Sequence, residues 1–238
     1  MPFTAVPESG GLLLGCLNIF HVVPGFEGNL PPAPRPRWMD RVEYQLVSSR
    51  NGSSFQRAGF RQFFLPNGPA GAPDSGVLWM YQPPVYVNDS IYFFYSGFEG
   101  THWAPDRHEF QGGVVMAARL RRDGWVSLDA GKPAEVVTKF FVTNGCSALV
   151  LNLDCRSTNV GHNILETYGN GSVAVEVVGA DFQPVPGFER ANCVPISGVD
   201  SVRHEVRWNA AQVASLHGKV IRLHFVLEMV KLFSFQFV

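Results

Sequence analysis

Hydrophobic and polar positions alternate with a period of two through most of this chain, most cleanly in its second half. Leu149, Leu151 and Leu153 oppose Asn152 and Asp154; Val173, Val175 and Val177 oppose Glu176; Val202, His204 and Val206 oppose Arg203, Glu205 and Arg207. Leu223, Phe225, Leu227 and Met229 oppose Arg222, His224 and Glu228, and Phe233, Phe235 and Phe237 oppose Ser234 and Gln236. Each run predicts a strand with one wet and one dry face, the pattern a two-sheet sandwich requires. Asp154, Glu176, Arg203 and Glu228 then face solvent, and His204 falls on the apolar side as a hydrogen-bonded core residue. Only Ala210 to His217, after Asn209 as N-cap and before Gly218 as stop, reads as helix, two turns at most.

From Gly11 to about Leu128 the pattern is shorter. Strands are expected over Gly11–His21, Val42–Ser49, Ser54–Phe64, Gly76–Tyr81, Val85–Val87, Ile91–Gly97, Gly113–Arg121 and Trp125–Leu128. Asn51-Gly52 and Asp123-Gly124 accept the positive φ of a two-residue hairpin turn, so each predicts a hairpin between its flanking strands. Asn88-Asp89-Ser90 makes a third turn, and hairpins at this interval suit four-stranded propeller blades, about two of them. The composition shifts near Asp129-Ala-Gly-Lys-Pro, which divides the chain into residues 1–130 and 131–238. The fold class is therefore all-β: an incomplete propeller followed by a sandwich.

Composition narrows the picture further. With 46% hydrophobic residues, 16% charged, 24 Gly, 17 Pro and 19 Phe, the chain is too apolar for a disordered segment and rich in turn formers. A net charge of −1 without a long run of either sign names no nucleic acid and no polybasic membrane surface as partner. Gly10 to Phe20 is apolar, but Glu8 stands where a signal peptide carries a cation, so the segment reads as a buried strand and the compartment stays open. No apolar run is long enough to span a bilayer. Cys16, Cys146, Cys155 and Cys193 lack zinc-ligand spacing, and no metal or cofactor is expected. A single strand from Cys146 to Cys155 would hold the two roughly 30 Å apart, beyond disulfide reach. Asn51-Gly-Ser, Asn88-Asp-Ser and Asn170-Gly-Ser fit the glycosylation triplet but also read as tight turns.

The motifs of α/β-hydrolases, zincins, dinucleotide-binding folds and P-loops are absent. Candidate chemistry lies in the loops of the first half. Phe98-Glu99-Gly100-Thr101-His102-Trp103 follows an aromatic strand, so a rigid support can present an acid, an imidazole and an indole together. Glu99 reads as a general acid and Trp103 as a sugar-stacking ring, or else Thr101 and His102 merely tie the loop to carbonyls. Asp74, in Pro73-Asp-Ser-Gly76, offers a second carboxylate to the same cleft or closes a turn. His21 ends the first strand as a ligand-facing or loop-anchoring imidazole. Trp79 and Tyr81 complete the substrate-binding set with His21, His102 and Trp103.

The order of several segments resembles the C-terminal part of the five-bladed propeller enzymes of glycoside hydrolase families 32 and 43, the invertase and arabinanase superfamily. The first-half segments are Val42-Glu-Tyr-Gln-Leu-Val-Ser-Ser-Arg-Asn-Gly-Ser-Ser-Phe55, Pro73-Asp-Ser-Gly76, Tyr95-Ser-Gly-Phe-Glu-Gly-Thr-His102 and Arg121-Arg-Asp-Gly-Trp-Val-Ser-Leu-Asp-Ala-Gly131. In the second half they are Val173-Ala-Val-Glu-Val, Pro186-Gly-Phe, Val206-Arg-Trp, Gly218-Lys-Val-Ile-Arg-Leu-His-Phe and Leu232-Phe-Ser-Phe-Gln-Phe237. The resemblance implies hydrolysis of glycosidic bonds by paired carboxylates, with Asp74 and Glu99 catalytic, and an oligo- or polysaccharide partner. The family draws three acids from its first three blades, and this chain has no Asn-Asp-Pro-Asn or Arg-Asp-Pro element. A fragment without those blades is expected not to turn over by itself and to self-associate through its open edge. Alternatives are a non-catalytic glycan-binding or protein-interaction module, and a remnant that folds poorly alone.

Overall fold

The computed structural model describes residues 3–5, 11–21, 41–100, 112–156 and 170–238. Over these residues the protein is all-β, with short 3₁₀ turns and no α-helix. It divides into two compact units, Met1–Leu120 and Arg121–Val238.

In the first unit nine strands form one sheet. They are β1 (Phe3–Ala5), β2 (Leu13–Phe20), β3 (Val42–Ser49), β4 (Gln56–Arg57), β5 (Phe63–Leu65), β6 (Val77–Met80), β7 (Val85–Val87), β8 (Ser90–Phe98) and β9 (Val114–Arg121). The order is β1-β2-β3-β6-β8-β7, with β4 and β5 also on β3 and β9 on β8. β2–β3, β6–β8 and β7–β8 are antiparallel, whereas β3 and β6 meet in parallel through the single pair Val42 and Val77. Leu14, Cys16, Val42, Tyr44, Leu46, Leu78, Met80, Ile91 and Phe93 are buried. The Tyr44 hydroxyl accepts the Met80 N–H at 2.7 Å, which lets a polar ring sit inside without an unpaired oxygen.

Turn chemistry explains the hairpins and one correction. Asn88, at φ 50°, and Asp89 join Val87 to its partner Ser90 in a two-residue turn. Around Asn51 the loop is longer than the two residues expected, because Ser48 pairs with Gln56. Ser49 Oγ accepts from the Asn51 and Gly52 amides, and Asn51 Oδ1 accepts from Ser53 and Ser54, so side chains hold that loop closed. The Asp123-Gly124 turn forms, with Asp123 at φ 53° and Gly124 N–H bonded to the Arg121 carbonyl. Its flanking strands do not pair with each other, however. β9 stays on β8, and β10 (Leu128–Ala130) pairs with the last strand of the chain, so the turn connects two sheets.

The second unit holds two sheets that share one hydrophobic core. β10, β13 (Leu149–Asp154), β16 (Asp200–Val206) and β18 (Val230–Phe237) form one, in the order β10-β18-β13-β16. β11 (Ala134–Val137), β12 (Phe141–Val142), β14 (Ser172–Gly179), β15 (Ile196–Ser197) and β17 (Val220–Glu228) form the other, in the order β11-β17-β14-β15 with β12 also on β17. Register makes the predicted dry faces coincide: Val173, Val175 and Val177 stand opposite Leu227, Phe225 and Leu223, and all six are buried. Met229, expected on a dry face, is instead the corner between β17 and β18, at φ 49°.

Other departures have local causes. A register shift lets β18 accommodate an extra residue at Phe233, which lies under the Arg121 guanidinium at 4.4 Å, and Phe235 is 38% exposed. Asp154, expected at the surface, is buried because Arg156 binds it through Nε and Nη2 at 3.0 and 2.8 Å. That guanidinium holds the Asp154 carboxyl below the usual carboxylate range. Asp200 joins the cluster between Arg156 and Arg121, at 2.6 and 2.7 Å. Glu176 is likewise occupied by His224, at 3.2 Å. His204 is only half-buried. The helix expected near Ala210 is a single 3₁₀ turn, Val213–Leu216, and Asn209 gives it no cap. All four cysteines are buried and free.

Candidate functional site

Strand directions bring the candidate polar residues to one end of the first sheet. β2 finishes at Phe20 opposite Val42, where β3 begins; β6 begins at Val77 beside Val42; and β8 finishes at Phe98 opposite Val77. His21, Asp74 and Glu99 therefore leave or approach the same edge. Backbone bonds fix it: His21 N–H to Arg41 O, Val42 N–H to Gly76 O, and Gly76 N–H to Phe98 O.

A chain of polar side chains runs along this edge. His21 Nε2 lies 3.0 Å from Glu43 Oε2, and the Asn67 backbone N–H donates to Glu43 Oε1 at 3.0 Å. Asn67 Nδ2 reaches the carbonyls of Val42 and Asp74, which fixes the orientation of the amide; its Oδ1 is buried without a partner among the described residues. The Tyr95 hydroxyl donates to Asp74 Oδ2 at 2.9 Å in a buried bond. Two glycines leave the room for Asp74: a Cβ on Gly68 would lie 2.1 Å from Asp74 Oδ1, and one on Gly97 would lie 2.7 Å from its Cβ. The segment after Asp74 packs on the Glu99–Gly100 backbone, with Ser75 Oγ 3.5 Å from the Glu99 carbonyl. Asp74 and Glu99 thus occupy adjoining turns, the first enclosed and bonded, the second exposed.

Trp79 and Tyr81 belong to a different part of the sheet. Trp79 is partly exposed in β6 opposite Ser96, on the face that carries Tyr92 and Phe94 of β8. Tyr81 follows β6 at the end away from Asp74 and is 73% exposed. His102 and Trp103 lie outside the described residues. Glu43, Asn67 and Tyr95 were not singled out from the sequence. A signal existed for Glu43, an acid within the apolar run of Val42, Tyr44, Leu46 and Val47, since a carboxylate in a buried strand needs a partner.

Burial raises the Tyr95 hydroxyl to about 12, and its bond to Asp74 and that group's charge add to the effect. An unfolded tyrosine ionises near pH 10. The neutral hydroxyl therefore stabilises the fold in full below about pH 10, and this contribution is lost as pH rises through about 12. Titration followed at 295 nm is expected to show a tyrosine that ionises only near pH 12 and is missing from Tyr95→Phe. The same variant strands the buried Asp74 carboxylate and should cost about 1–3 kcal/mol in urea unfolding. A late step that survives in Tyr95→Phe would mean the perturbed ring is another one.

Comparison with known proteins gives no match: no protein-family model, no curated protein and no solved structure matches the chain. Among the described residues no group of three or more His, Cys, Asp or Glu side chains is placed to hold a metal ion.

Proposed function

We propose that this protein binds an oligo- or polysaccharide without hydrolysing it, as a relative of the five-bladed glycosidases whose first unit holds two blade-like strand groups and whose second is a β-sandwich. The observation that carries the binding reading is the row of rings on one face of β6 and β8, with Trp79 and Tyr92 partly exposed, Phe94 40% exposed and Tyr81 at its end. Flat rings of this kind offer apolar area at low entropic cost and, in Trp and Tyr, a polar handle. The single Val42–Val77 pair that joins two otherwise antiparallel groups supports the blade reading, and the common core of the two facing sheets supports the sandwich.

Hydrolysis requires two carboxylates that flank a glycosidic bond with room between them. Asp74 is spoken for by Tyr95 and enclosed between Gly68 and Gly97, which argues for a supporting role behind the exposed Glu99. On a glycan array the protein is expected to retain a defined set of oligosaccharides, and Tyr81→Ala to weaken that retention about tenfold, as loss of an anchoring ring does. Incubation with the retained glycans should release no reducing ends. Reducing-end release that Asp74→Ala and Glu99→Ala both abolish would restore the hydrolase reading. No retention at all would remove the carbohydrate reading.

A further inference from the structure

Between β3 and β5 the chain runs through residues 50–62, returning to the sheet edge where Gln56–Arg57 (β4) pair with Val47 and Ser48. Gly59, Phe60 and Arg61 have φ of 58°, 55° and 67°, three successive residues in left-handed conformation. Glycine adopts this freely, but a bulky aromatic residue there is an outlier that the surrounding chain must hold in place. The result is that Phe60 is fully solvent-exposed, at 101% of its reference area. It lies with Phe55, itself 40% exposed, along an open cleft whose other walls are Gln56, Arg57, Gly59 and Arg61.

Positive charge is concentrated in the same stretch of chain, and Arg57 and Arg61 line the cleft itself. Residues 44–73 contain Arg50, Arg57 and Arg61 and no Asp or Glu. The three arginines are exposed, and among the described residues none has an ion pair or side-chain hydrogen bond. Glu43, the carboxylate of β3, is engaged by His21 and Asn67. A near-neutral chain thus presents an exposed cationic, aromatic segment that its overall charge conceals.

We propose that this segment docks the protein peripherally on an anionic lipid surface. Phe60 would enter the headgroup region, and Arg50, Arg57 and Arg61 would pair with lipid phosphates and carboxylates. Phenylalanine has no hydrogen-bonding group, so its complementary environment is apolar, while guanidinium forks match phosphate oxygens. An anionic bilayer offers these two environments a few ångströms apart, and aromatic and basic residues side by side are the mark of interfacial segments. Such contact needs no spanning element, and among the described residues no helix is long and apolar enough to cross a membrane. The inference stands apart from the glycan reading, which rests on β6 and β8.

The test is sedimentation of the full chain with vesicles of phosphatidylcholine alone or with about one-third phosphatidylserine, with folding of each variant checked by circular dichroism. Wild type should sediment with the anionic vesicles only, and less as salt rises. Each arginine near such a surface is worth about fivefold in affinity, so Arg57→Ala/Arg61→Ala should weaken binding by about 25-fold. Phe60→Ala should weaken it further at high salt, where Phe60→Leu should not. With Phe60→Trp, fluorescence quenching by brominated lipid should exceed that of wild type. Equal binding to neutral vesicles, no binding to either, or insensitivity to both Phe60 and the arginines would overturn the proposal. So would binding to a single-stranded oligonucleotide at the same salt with none to vesicles.

Discussion

Gly76→Ala is expected to destabilise the first unit by about 4 kcal/mol or more. A Cβ at this position would lie 2.1 Å from the Gly100 carbonyl oxygen, 2.5 Å from its carbon and 2.6 Å from the Glu99 oxygen. All three are backbone atoms, so no side chain can rotate out of the way. The residue must move, or the end of β8 must. Gly76 also accepts the Val42 N–H and donates to Phe98 O, the two bonds that tie β6 to its neighbours at this edge. Overpacking costs about 1–3 kcal/mol and two lost backbone bonds about 1 kcal/mol each. Amide exchange of Val42 should accelerate by at least about 100-fold if the edge opens below the global transition. Gly100→Ala is the control, since among the described residues nothing lies within 4 Å of its added Cβ, and it should stay within about 0.5 kcal/mol of wild type. Equal stability of the two variants would show that the edge yields without cost. The polar chain from His21 to Tyr95 would then have no rigid support.

What could be read from the sequence was the part set by neighbours along the chain. The dry faces of β14 and β17 follow from valines in one and leucines flanking a phenylalanine in the other, two apart, and the structure buries Val173, Val175, Val177, Leu223, Phe225 and Leu227 accordingly. Turns were legible for the same reason, because Asn88 and Asp123 carry their positive φ in their own chemistry. The partner of a strand is not encoded so locally. Asp123-Gly124 turns the chain, but whether the next strand folds back on β9 or crosses to β18 depends on residues over 100 positions later. The surroundings of Asp154 are only partly local, since Arg156 two residues on binds it while Asp200 and Arg121 join the cluster from distant strands. The edge site shows the same limit. Asp74, Glu99 and His21 stand out as polar residues at strand ends, but their bonds to Tyr95 and Glu43 span 21 and 22 residues.

The second large effect is expected in the other unit. Trp208→Ala should cost about 3–5 kcal/mol, the range for removing a buried aromatic side chain. The indole is 6% exposed, packs edge-on against Phe188 with ring centres 5.1 Å apart, and donates its Nε1–H to the Val175 carbonyl at 3.1 Å. Truncation therefore opens a cavity beside Phe188 and strips that carbonyl of its side-chain donor. The two losses can be separated. Trp208→Phe keeps most of the ring contact but removes the N–H, and should cost about 1–3 kcal/mol. If Trp208→Phe proves as damaging as Trp208→Ala, the hydrogen bond governs this corner; if it is harmless, packing does. A double-mutant cycle with Phe188→Ala is expected to give a coupling of about 0.5–1.5 kcal/mol, the size measured for aromatic pairs beyond their area burial. Additivity would mean that the indole and the phenyl ring each pack on the core independently, and that their edge-on arrangement only records the space available. A measurable coupling would place this pair, set between β14 and the strand end at Val206, among the contacts that fix how the chain closes over the shared core.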